Sequence, residues 1–362
     1  MEMPYDPPML PLKSGIINRL SFLEELVDAS SKLEVYKEKI RDSKLSPDWF
    51  MPTLQKKEAL ASSVMEGTQA TIDGVLINQA VPDENNRNLN EVFNYDDATE
   101  FGYKTLRKDG FSDGFFQTVH SILMKGNVRK QGIVGEYRKS QNYIGRNDTS
   151  HAITYVPPVP GRVPELMHNL IEYLKSPTDS LRPLERAAII HAQFETIHPF
   201  SDGNGRVGRM LIPMYLFSVD QIELPCFFIS EALEHNKLKY YSLLNDTREK
   251  QDWNGWIRFF LRTVATQCDK YIGTISAINA LYEDDVAIAC RSMKSSNAVT
   301  VINTLYSHPI TNAKQVQQET GLPPASVNRV LNALVEEKIL YTDGKLRNRT
   351  FYYYDLLDII RG

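Results

Sequence analysis

The first part of the chain has apolar residues at the three- and four-residue spacing that places side chains on one face of a helix. Between about residues 14 and 60 these are Ile16, Leu20, Leu23, Leu26, Val27, Leu33, Tyr36 and Ile40. The pattern predicts helices there and a second helical group over 90–126, interrupted at Lys108-Asp109-Gly110 because glycine after aspartate is typical of a turn. The proline-rich opening, to about Leu12, predicts an extended arm lying across another element, since proline disfavours helix in the residue before it.

The pattern then changes to short β-prone pieces. Tyr143-Ile144-Gly145 and Ala152–Val156 flank the polar pair Asn147-Asp148, which predicts a β-hairpin. Helical spacing resumes after this hairpin. The expected helices are 163–174, 183–197, 207–219, 233–244 and a longer one from Trp253 to about Ala280.

From about Ser292 the pattern is that of a separate unit. Helices are expected at 298–306, 312–320 and 325–337, followed by two strands across Asp343-Gly344. This order of elements is typical of a winged helix-turn-helix fold.

The same segment is less specific for DNA binding. The basic group in the expected wing consists of Lys345, Arg347 and Arg349, while Glu336 and Glu337 end the third helix. Acidic residues at that place weaken attraction to phosphates, so the fold alone does not indicate DNA as the partner.

Composition limits the class of protein. The 362 residues exceed what one hydrophobic core usually organises, so we expect two or three domains. A formal charge of -4 gives no overall attraction to nucleic acid or to an anionic membrane. Cys226, Cys268 and Cys290 lack the spacing of a disulfide framework or a zinc site. No stretch reaches the roughly 18 apolar residues of a membrane span, and no signal peptide is evident, so we expect a cytoplasmic protein.

The strongest candidate for chemistry is the segment after the expected helix 183–197, here called the motif segment (residues 198–209). It reads His198-Pro199-Phe200-Ser201-Asp202-Gly203-Asn204-Gly205-Arg206-Val207-Gly208-Arg209. Gly203-Asn204-Gly205 precedes a helix, so backbone N–H groups can converge on a phosphate at the helix N-terminus. Arg206 and Arg209 are three residues apart and can both reach a di- or triphosphate.

Two further side chains of the motif segment complete a catalytic set. Asp202 is a hard oxygen ligand suited to a magnesium ion that also binds phosphate oxygens. His198 is suited to take a proton from an attacking hydroxyl near neutral pH. His191 lacks a third ligand at metal-site spacing and is expected to be structural. Each feature alone is common in structural loops, and their coincidence within a dozen residues is what indicates nucleotide chemistry.

The motif segment resembles the Fic family motif, His-Pro-Phe-x-Asp/Glu-Gly-Asn-Gly-Arg-x-x-Arg, at every specified position. The resemblance extends over about residues 90–265 and includes Tyr155–Pro158, Tyr240-Tyr241 and Trp253–Phe260. It implies a mainly α fold, a Fic-type helical bundle with a short β-hairpin flap, here followed by the winged helix-turn-helix. It also implies a protein adenylyltransferase that transfers AMP from ATP to a Ser, Thr or Tyr hydroxyl of a target protein and to itself.

The resemblance assigns roles by position. It makes His198 the catalytic base and Asp202 the magnesium ligand. The implied nucleotide-binding residues are Gly203, Asn204, Gly205, Arg206, Val207, Gly208 and Arg209, with Tyr240 and Tyr241 beside the base. Packing in the core is an equal alternative for at least one of the two tyrosines. The flap, at about residues 143–155, would align the target chain.

A second motif precedes this core. Ser62-Ser63-Val64-Met65-Glu66-Gly67 ends an expected helix, with Gly67 as its C-cap and with Ser62 and Glu66 on one face. A surface ion pair would explain this pattern on sequence alone. Fic members with an N-terminal inhibitory helix carry Ser/Thr-x-x-x-Glu-Gly/Asn, so the resemblance implies that Ser62, Glu66 and Gly67 are inhibitory. Glu66 would pair with Arg209 and keep it from the γ-phosphate, and the same glutamate could assist removal of AMP.

These interpretations divide the chain into four parts. They are an N-terminal arm with helices (1–89, with the inhibitory helix at about 54–67), a Fic core (90–265), a connecting helix (266–291) and a winged helix-turn-helix domain (292–362). We expect the last part to dock a target or a second copy of the chain, with DNA binding less favoured. The alternatives for the whole chain are a nucleotide-sensing transcription regulator that binds DNA and a Fic transferase with another donor, such as UTP.

Overall fold

The computed structural model describes residues 3–83, 85–126, 133–145, 155–224, 226–293, 295–345 and 347–362. The fold is mainly helical with a small sheet, as the sequence predicts. The helices are α1 (Leu23–Arg41), α2 (Pro47–Met65), α3 (Ile72–Ala80), α4 (Arg87–Leu106), α5 (Asp113–Leu123), α6 (Val163–Lys175), α7 (Pro183–Ile197), α8 (Asn204–Ser218), α9 (Ser230–His235), α10 (Lys237–Glu249), α11 (Trp253–Ser292), α12 (Ser296–Ser307), α13 (Ala313–Thr320), α14 (Pro324–Glu336) and α15 (Tyr354–Arg361). The strands are β1 (Ile310–Asn312), β2 (Tyr341–Thr342) and β3 (Thr350–Tyr352). Across the residues described, none of the helices has the length and apolar character needed to cross a bilayer.

The chain forms two compact units, and each draws on several stretches of sequence. The first contains Met1–Leu33, Ala61–Gly67 and Phe93–Gln267, and the second contains Glu34–Leu60, Thr68–Val92 and Cys268–Gly362. Helices α1, α2, α4 and α11 therefore contribute residues to both units. The units do not coincide with the four expected parts, which follow the order of the sequence.

The core of the first unit is built around α7 and α8. The side chains from Ala187 to Ile197 and from Arg206 to Leu216 are buried. The two helices approach so closely that a Cβ at Gly208 would lie 2.1 Å from Glu195 Oε1. Trp256 of α11 donates its indole N–H to the backbone oxygen of Ala188 at 2.8 Å. The motif segment therefore joins the two helices that are packed most deeply in this unit.

Several helix boundaries differ from those expected. Helix α2, which the resemblance implies to be inhibitory, begins at Pro47 rather than at about residue 54, with Pro52 inside it. Helix α8 begins at Asn204 instead of residue 207, because Gly203 adopts a left-handed φ of 76° and lets the chain enter the helix directly. The expected helix 233–244 is two helices, α9 and α10, that meet at Asn236. Helix α11 continues to Ser292, since residues 281–292 contain neither proline nor glycine.

The expected apolar face near the N-terminus is correct only in part. Leu26 and Leu33 are buried, but Leu20 and Val27 are 81% and 61% exposed. Leu20 precedes α1, in a short 3-10 helix at Arg19–Phe22. Val27 belongs to α1 but lies outside its buried face. The extended arm does lie across another element, because Tyr5 N donates to Val156 O at 2.9 Å.

The second unit contains the winged helix-turn-helix. Helices α12, α13 and α14 precede β2 and β3, and β3 lies between β1 and β2 in an antiparallel sheet. Tyr352 of β3 is opposite Ile310 on one side and Tyr341 on the other. Strand β1 was not expected. It ends at Asn312, whose side chain caps α13 by accepting a hydrogen bond from Gln315 N at 2.9 Å.

Residues outside 292–362 complete the core of this unit. Leu76 and Ala80 of α3 pack with Ile310 and Leu357. The buried carboxylate of Asp285 in α11 accepts hydrogen bonds from the hydroxyls of Tyr306 and Tyr353. The expectation of a separate unit from about Ser292 was therefore too narrow, because the apolar face of the winged helix is covered by distant segments of the chain.

Candidate active site

The motif segment is closed by the side chain of Asn204. Its amide oxygen accepts a hydrogen bond from Phe200 N, and its amide nitrogen donates one to Phe200 O, both at 2.8 Å. Asp202 Oδ1 accepts a hydrogen bond from Gly203 N at 2.8 Å. These bonds hold the backbone at Phe200 and Gly203 from within the segment. The first N–H groups of α8 have no partner within the helix, which makes its N-terminus suitable for an anion.

His198 follows the last residue of α7 and has a left-handed backbone (φ 50°, ψ 60°). This conformation is strained for a residue other than glycine, and the buried Arg138 holds it in place. Arg138 donates from Nε to His198 O and from its backbone N to Pro199 O, both at 2.8 Å. Burial, with repulsion from Arg138 and Arg248, lowers the pKa of His198 to about 3. The imidazole is therefore neutral at pH 7 and can accept a proton.

The guanidinium of Arg209 is fully buried and is held by the end of α2. It donates from Nε to Ser62 Oγ at 2.9 Å, and from Nη2 to Ser62 O and Glu66 Oε1, both at 2.8 Å. Burial acts to raise the pKa of Glu66, but attraction to Arg209, helped by Arg206 and His198, outweighs it and keeps that pKa below its usual value. Of the three residues that the resemblance implies to be inhibitory, Ser62 and Glu66 contact the last arginine of the motif segment, while Gly67 caps the helix.

The Glu66 carboxylate also lies against the start of α8. A Cβ at Gly205 would be 2.2 Å from Glu66 Oε1 and 3.0 Å from Arg209 Nη1, so only glycine allows this approach. A negative charge is favourable at a helix N-terminus. Glu66 therefore occupies a position that also suits an anionic group of a ligand.

The end of α2 is fixed by its cap and by a lysine of α10. Gly67 has a left-handed φ of 94°, and its N–H donates to Val64 O at 2.9 Å, as expected of a C-cap. Lys237 Nζ donates to Met65 O at 2.7 Å. These contacts hold the backbone on both sides of Glu66 and so fix the position of its Cα.

A cavity of about 360 Å³ opens beside these residues. Among the site residues expected from the sequence, Glu66, His198, Gly205, Arg209 and Tyr241 line it. The volume falls within the range of about 300–1,000 Å³ typical of pockets for small ligands. The tertiary structure thus brings residues from α2, α7, α8 and α10 to a common space.

Tyr240 lies in the core, so the expectation that both tyrosines flank a base is wrong for this residue, and the core alternative holds. Its hydroxyl is 2.9 Å from His191 Nε2, while His191 Nδ1 is 2.8 Å from Gly208 O. Because a carbonyl oxygen only accepts, Nδ1 carries the hydrogen and Nε2 accepts from Tyr240. Burial lowers the pKa of His191 to about 3, so the ring stays neutral. His191 is structural, as expected.

Other residues of the motif segment point to the interior. Val207 is 2% exposed and belongs to the core. Arg206 is also buried, with Nη2 at 3.3 Å from Met124 Sδ. The sequence treats Arg206 and Arg209 alike, whereas the structure gives them different surroundings, because their side chains leave α8 in different directions.

Comparison with known proteins identifies the family of this chain. A family model described as the Fic/DOC family N-terminal matches residues 23–104, and the model of the Fic/DOC family matches residues 111–216. Together these two models match more than half of the chain. The chain belongs to the Fic/DOC family. A third model, the IclR helix-turn-helix domain, matches residues 296–344.

Similar curated proteins are named for one activity. The protein adenylyltransferase Fic of Aedes aegypti is 31% identical over 227 residues, which cover 61% of this chain and 40% of that protein. A probable protein adenylyltransferase of Aquifex aeolicus is 28% identical over 207 residues, which cover 55% of this chain and 57% of that protein. The chain thus spans about half the length of the curated relatives it matches.

Solved structures share the fold. A Fic family protein from Desulfovibrio desulfuricans has a TM-score of 0.60 at 18% identity, covering 96% of this chain and 98% of that one. Fic-1 of Caenorhabditis elegans has a TM-score of 0.55 at 21% identity, covering 72% of this chain and 75% of that one. The expected Fic-type helical fold is therefore confirmed.

The flap of the Fic/DOC domain is described at its two ends. Ile144 N donates to Tyr155 O at 2.9 Å, and Tyr155 N donates to Ile144 O at 3.2 Å, an antiparallel pairing. The rest of the expected hairpin, residues 146–154 with His151, lies outside the described residues. The two ends that are described bring Ile144 and Tyr155 to the cavity wall.

Arg248 of α10 is a residue of the cavity that the sequence does not indicate. Its guanidinium lies 3.9 Å from the centre of the Tyr155 ring, and it donates to Thr196 Oγ1 at 3.0 Å and to Asn245 Oδ1 at 2.8 Å. Arg248 lines the cavity, so it supplies a second positive charge there. A single arginine near the end of a polar helix carries no signal that would have identified it.

His120 was also missed, because it has no partner pattern in the sequence. Its Nδ1 accepts from Gly135 N at 3.0 Å, so Nε2 carries the hydrogen and donates to Asp202 O at 3.0 Å. The ring stacks on Phe200 with centres 3.9 Å apart. Burial lowers the pKa of His120 to about 4, which keeps this arrangement of donor and acceptor at neutral pH. His120 therefore fixes the backbone at Asp202.

Replacement of Asn204 tests how the motif segment is held. Asn204→Ala would leave the buried N–H of Phe200 without a partner and Phe200 O with only its bond from Asn142, which should lower the free energy of unfolding by about 1–3 kcal/mol. Urea denaturation followed by circular dichroism measures the change. Asn94→Ala is the matched control, because the exposed Asn94 amide donates one bond, to Lys125 O. Equal stability of the two variants would contradict the role given to Asn204.

Proposed function

We propose that this chain is a magnesium-dependent protein adenylyltransferase, which transfers AMP from ATP to a Ser, Thr or Tyr hydroxyl of a target protein and of itself. The observation that carries the proposal is the cavity in which a neutral His198, the start of α8 and Arg209 face the same space. The names of the curated relatives support ATP as the donor.

The reaction follows from the positions of these groups. His198 accepts the proton of the target hydroxyl, whose oxygen forms a bond to the α-phosphorus of ATP. The bond between that phosphorus and the bridging oxygen of pyrophosphate breaks, and pyrophosphate leaves. The first N–H groups of α8 and the guanidinium of Arg209 stabilise the charge on the leaving group. Phosphates beside His198 favour the imidazolium ion and so oppose the effect of burial on its pKa.

Asp202 fits one kind of magnesium site. Within the part of the chain that is described, no group of three or more His, Cys, Asp or Glu side chains could hold a metal ion. Magnesium is commonly held by one or two carboxylates together with substrate phosphates and water, and a single Asp202 meets that need. When bound, the ion neutralises charge on the phosphates. The protein contributes the orientation of Asp202, through Gly203 N and through His120.

The target would bind at the flap. Ile144 and Tyr155 form an isolated antiparallel bridge at the edge of the cavity, and extended backbone of this kind can bind an extended peptide by backbone hydrogen bonds. Binding at residues 143–155 would bring a target hydroxyl near His198.

Glu66 would act as a brake on this reaction. Its carboxylate holds Arg209 and lies against Gly205, where a terminal phosphate of ATP would otherwise bind. A carboxylate in that position repels phosphate and keeps the guanidinium from it. ATP would then bind in a pose in which the α-phosphate is not aligned for attack.

Two variants test activity and brake together. Glu66→Gly should gain the mass of one or more AMP groups when it is incubated with ATP and magnesium, because Arg209 becomes free to bind phosphate. His198→Ala should gain none, because no base accepts the proton. Intact-mass spectrometry with each nucleoside triphosphate in turn measures the product and identifies the donor.

Glu66→Gln is the matched control for Glu66→Gly. It keeps the size of the side chain and removes its charge, so labelling between that of wild type and that of Glu66→Gly is expected. Equal labelling of wild type and Glu66→Gly would contradict the brake. A mass gain from UTP but not from ATP would contradict AMP as the transferred group.

Lys237 provides an independent test of the brake. Its bond to Met65 O helps to fix the end of α2, so Lys237→Ala should release Glu66 in part and raise self-labelling above wild type. The increase should be up to about tenfold, the low end of the range for a hydrogen bond to a charged group, because the Gly67 cap remains. Lys239→Ala is the control, because Lys239 lies two residues further on the same helix and is exposed. Labelling of Lys237→Ala that equals labelling of Lys239→Ala would count against this role.

For the winged helix-turn-helix we propose docking of a target or of a second copy, rather than DNA binding. Two of the three basic residues of the wing already have partners, since Lys345 pairs with Asp343 at 3.1 Å and Arg349 donates to Asn332. The IclR helix-turn-helix match is what favours the alternative, a DNA-binding regulator that senses nucleotide.

Fluorescence anisotropy with duplex DNA separates these possibilities. We expect weak binding that changes little when Lys345, Arg347 and Arg349 are replaced by alanine. DNA binding that depends on these residues and falls by about a thousandfold between 50 and 200 mM salt would favour the regulator.

A further inference from the structure

The cavity contains a second glutamate to which the proposed reaction gives no role. Glu195 lies on α7 one helical turn before His198 and lines the same cavity. It is 8% exposed, and its Oε1 has no hydrogen-bond partner among the described residues. Buried carboxylates that serve only the fold are normally hydrogen-bonded, because a missing bond costs about 1–3 kcal/mol. An unbonded carboxyl in a cavity wall therefore points to a ligand.

The neighbouring helix is shaped around this carboxyl. A Cβ at Gly208 of α8 would lie 2.1 Å from Glu195 Oε1 and 3.1 Å from its Cδ, so any larger residue would displace the carboxyl. Glycine at this position therefore keeps room for Glu195 between α7 and α8.

The two arginines of the cavity donate to groups other than Glu195, and Arg209 Nη1 has no hydrogen-bond partner among the described residues. Arg209 donates to Ser62 and Glu66, and Arg248 donates to Thr196 and Asn245. Burial raises the pKa of Glu195 to about 7, although Arg209 and Arg248 act in the opposite direction. The carboxyl is thus left to accept hydrogen bonds from something that enters the cavity.

The chemistry of that group is restricted. A carboxylate repels phosphate, so it must face a part of the ligand that donates hydrogen bonds, such as a hydroxyl or an amino group. In a nucleotide whose α-phosphate lies beside His198, the ribose is bonded directly to that phosphate. Its hydroxyls are therefore the nearest donors to a side chain one helical turn before His198. Carboxylates bind ribose hydroxyls in other nucleotide sites.

We infer that Glu195 accepts hydrogen bonds from the ribose hydroxyls of the nucleotide and so selects ribonucleotides over deoxyribonucleotides. The inference rests on the proposed function, because it takes the α-phosphate to lie at His198. It assigns Glu195 to binding of the donor, in contact with substrate, and leaves proton transfer to His198.

The test uses the full chain with Glu66→Gly as the parent. The parent also carries His198→Ala, which stops turnover. Calorimetry then measures its affinity for ATP, 2′-deoxyATP, 3′-deoxyATP and purine riboside triphosphate, which lacks the exocyclic amine. The parent should bind at least one of the two deoxy analogues about tenfold to a hundredfold more weakly than ATP, the range for a hydrogen bond to a charged group. Glu195→Ala should bind ATP and both deoxy analogues alike.

Two further variants keep the test decisive. Glu195→Gln retains an acceptor of the same size without the charge, so its discrimination should be smaller than that of the parent but present, and it serves if Glu195→Ala does not fold. Gln193→Ala is the control, because Gln193 is buried on α7 and donates to Pro8 O rather than lining the cavity. It should discriminate as the parent does.

The outcomes separate this inference from the proposed function. If the parent fails to bind ATP and Glu66→Gly is not labelled, the proposed function fails. If the parent binds ATP but does not distinguish the deoxy analogues, or if Glu195→Ala distinguishes them as the parent does, the role of Glu195 is overturned. In a third outcome, Glu195 affects only the difference in affinity between ATP and purine riboside triphosphate. Glu195 would then contact the exocyclic amine of the base instead of the ribose, and the inference would again be overturned.

Discussion

A fully buried guanidinium must have acceptors, and the acceptors of Arg209 connect the parts of the first unit. Arg209 comes from α8, while Ser62 and Glu66, which accept its hydrogen bonds, come from the end of α2. Removing one partner of a buried charge costs far more than an exposed pair contributes, because the remaining charge has lost its water. The arginine therefore needs either the glutamate or another anion in its place. This requirement is the physical basis of the brake that we propose for Glu66.

Burial also determines which groups carry charge around the cavity. His120, His191 and His198 are all neutral, because water is excluded from each ring and nearby arginines disfavour a further positive charge. In His120 and His191 neutrality gives one nitrogen as donor and one as acceptor, which fixes backbone atoms of the motif segment and of α8. In His198 it leaves a base. Burial thus maintains the hydrogen bonds of His120 and His191 and leaves His198 able to accept a proton.

Glycines determine how closely the carboxylates approach α8. Gly205 allows Glu66 against the first turn of the helix, and Gly208 allows Glu195 against the next turn. The two carboxylates and the two arginines, Arg209 and Arg248, line one cavity. A ligand that enters must replace some of these interactions with its own groups, which is a stringent requirement on its shape and charge.

Local features of the structure, namely the helices and the motif segment, could be predicted from the sequence. Helical periodicity gave most of the helices, and the motif segment identified the family, because base, metal ligand, glycines and arginines lie within a dozen consecutive residues. The pairing of Glu66 with Arg209 followed from the family resemblance and not from periodicity, since 143 residues separate them. Tertiary structure alone decided which of Tyr240 and Tyr241 faces the cavity. It also brought Arg248, Glu195 and His120 to the site, because their roles depend on contacts between distant helices, and single polar residues on a helix leave no local pattern for such contacts.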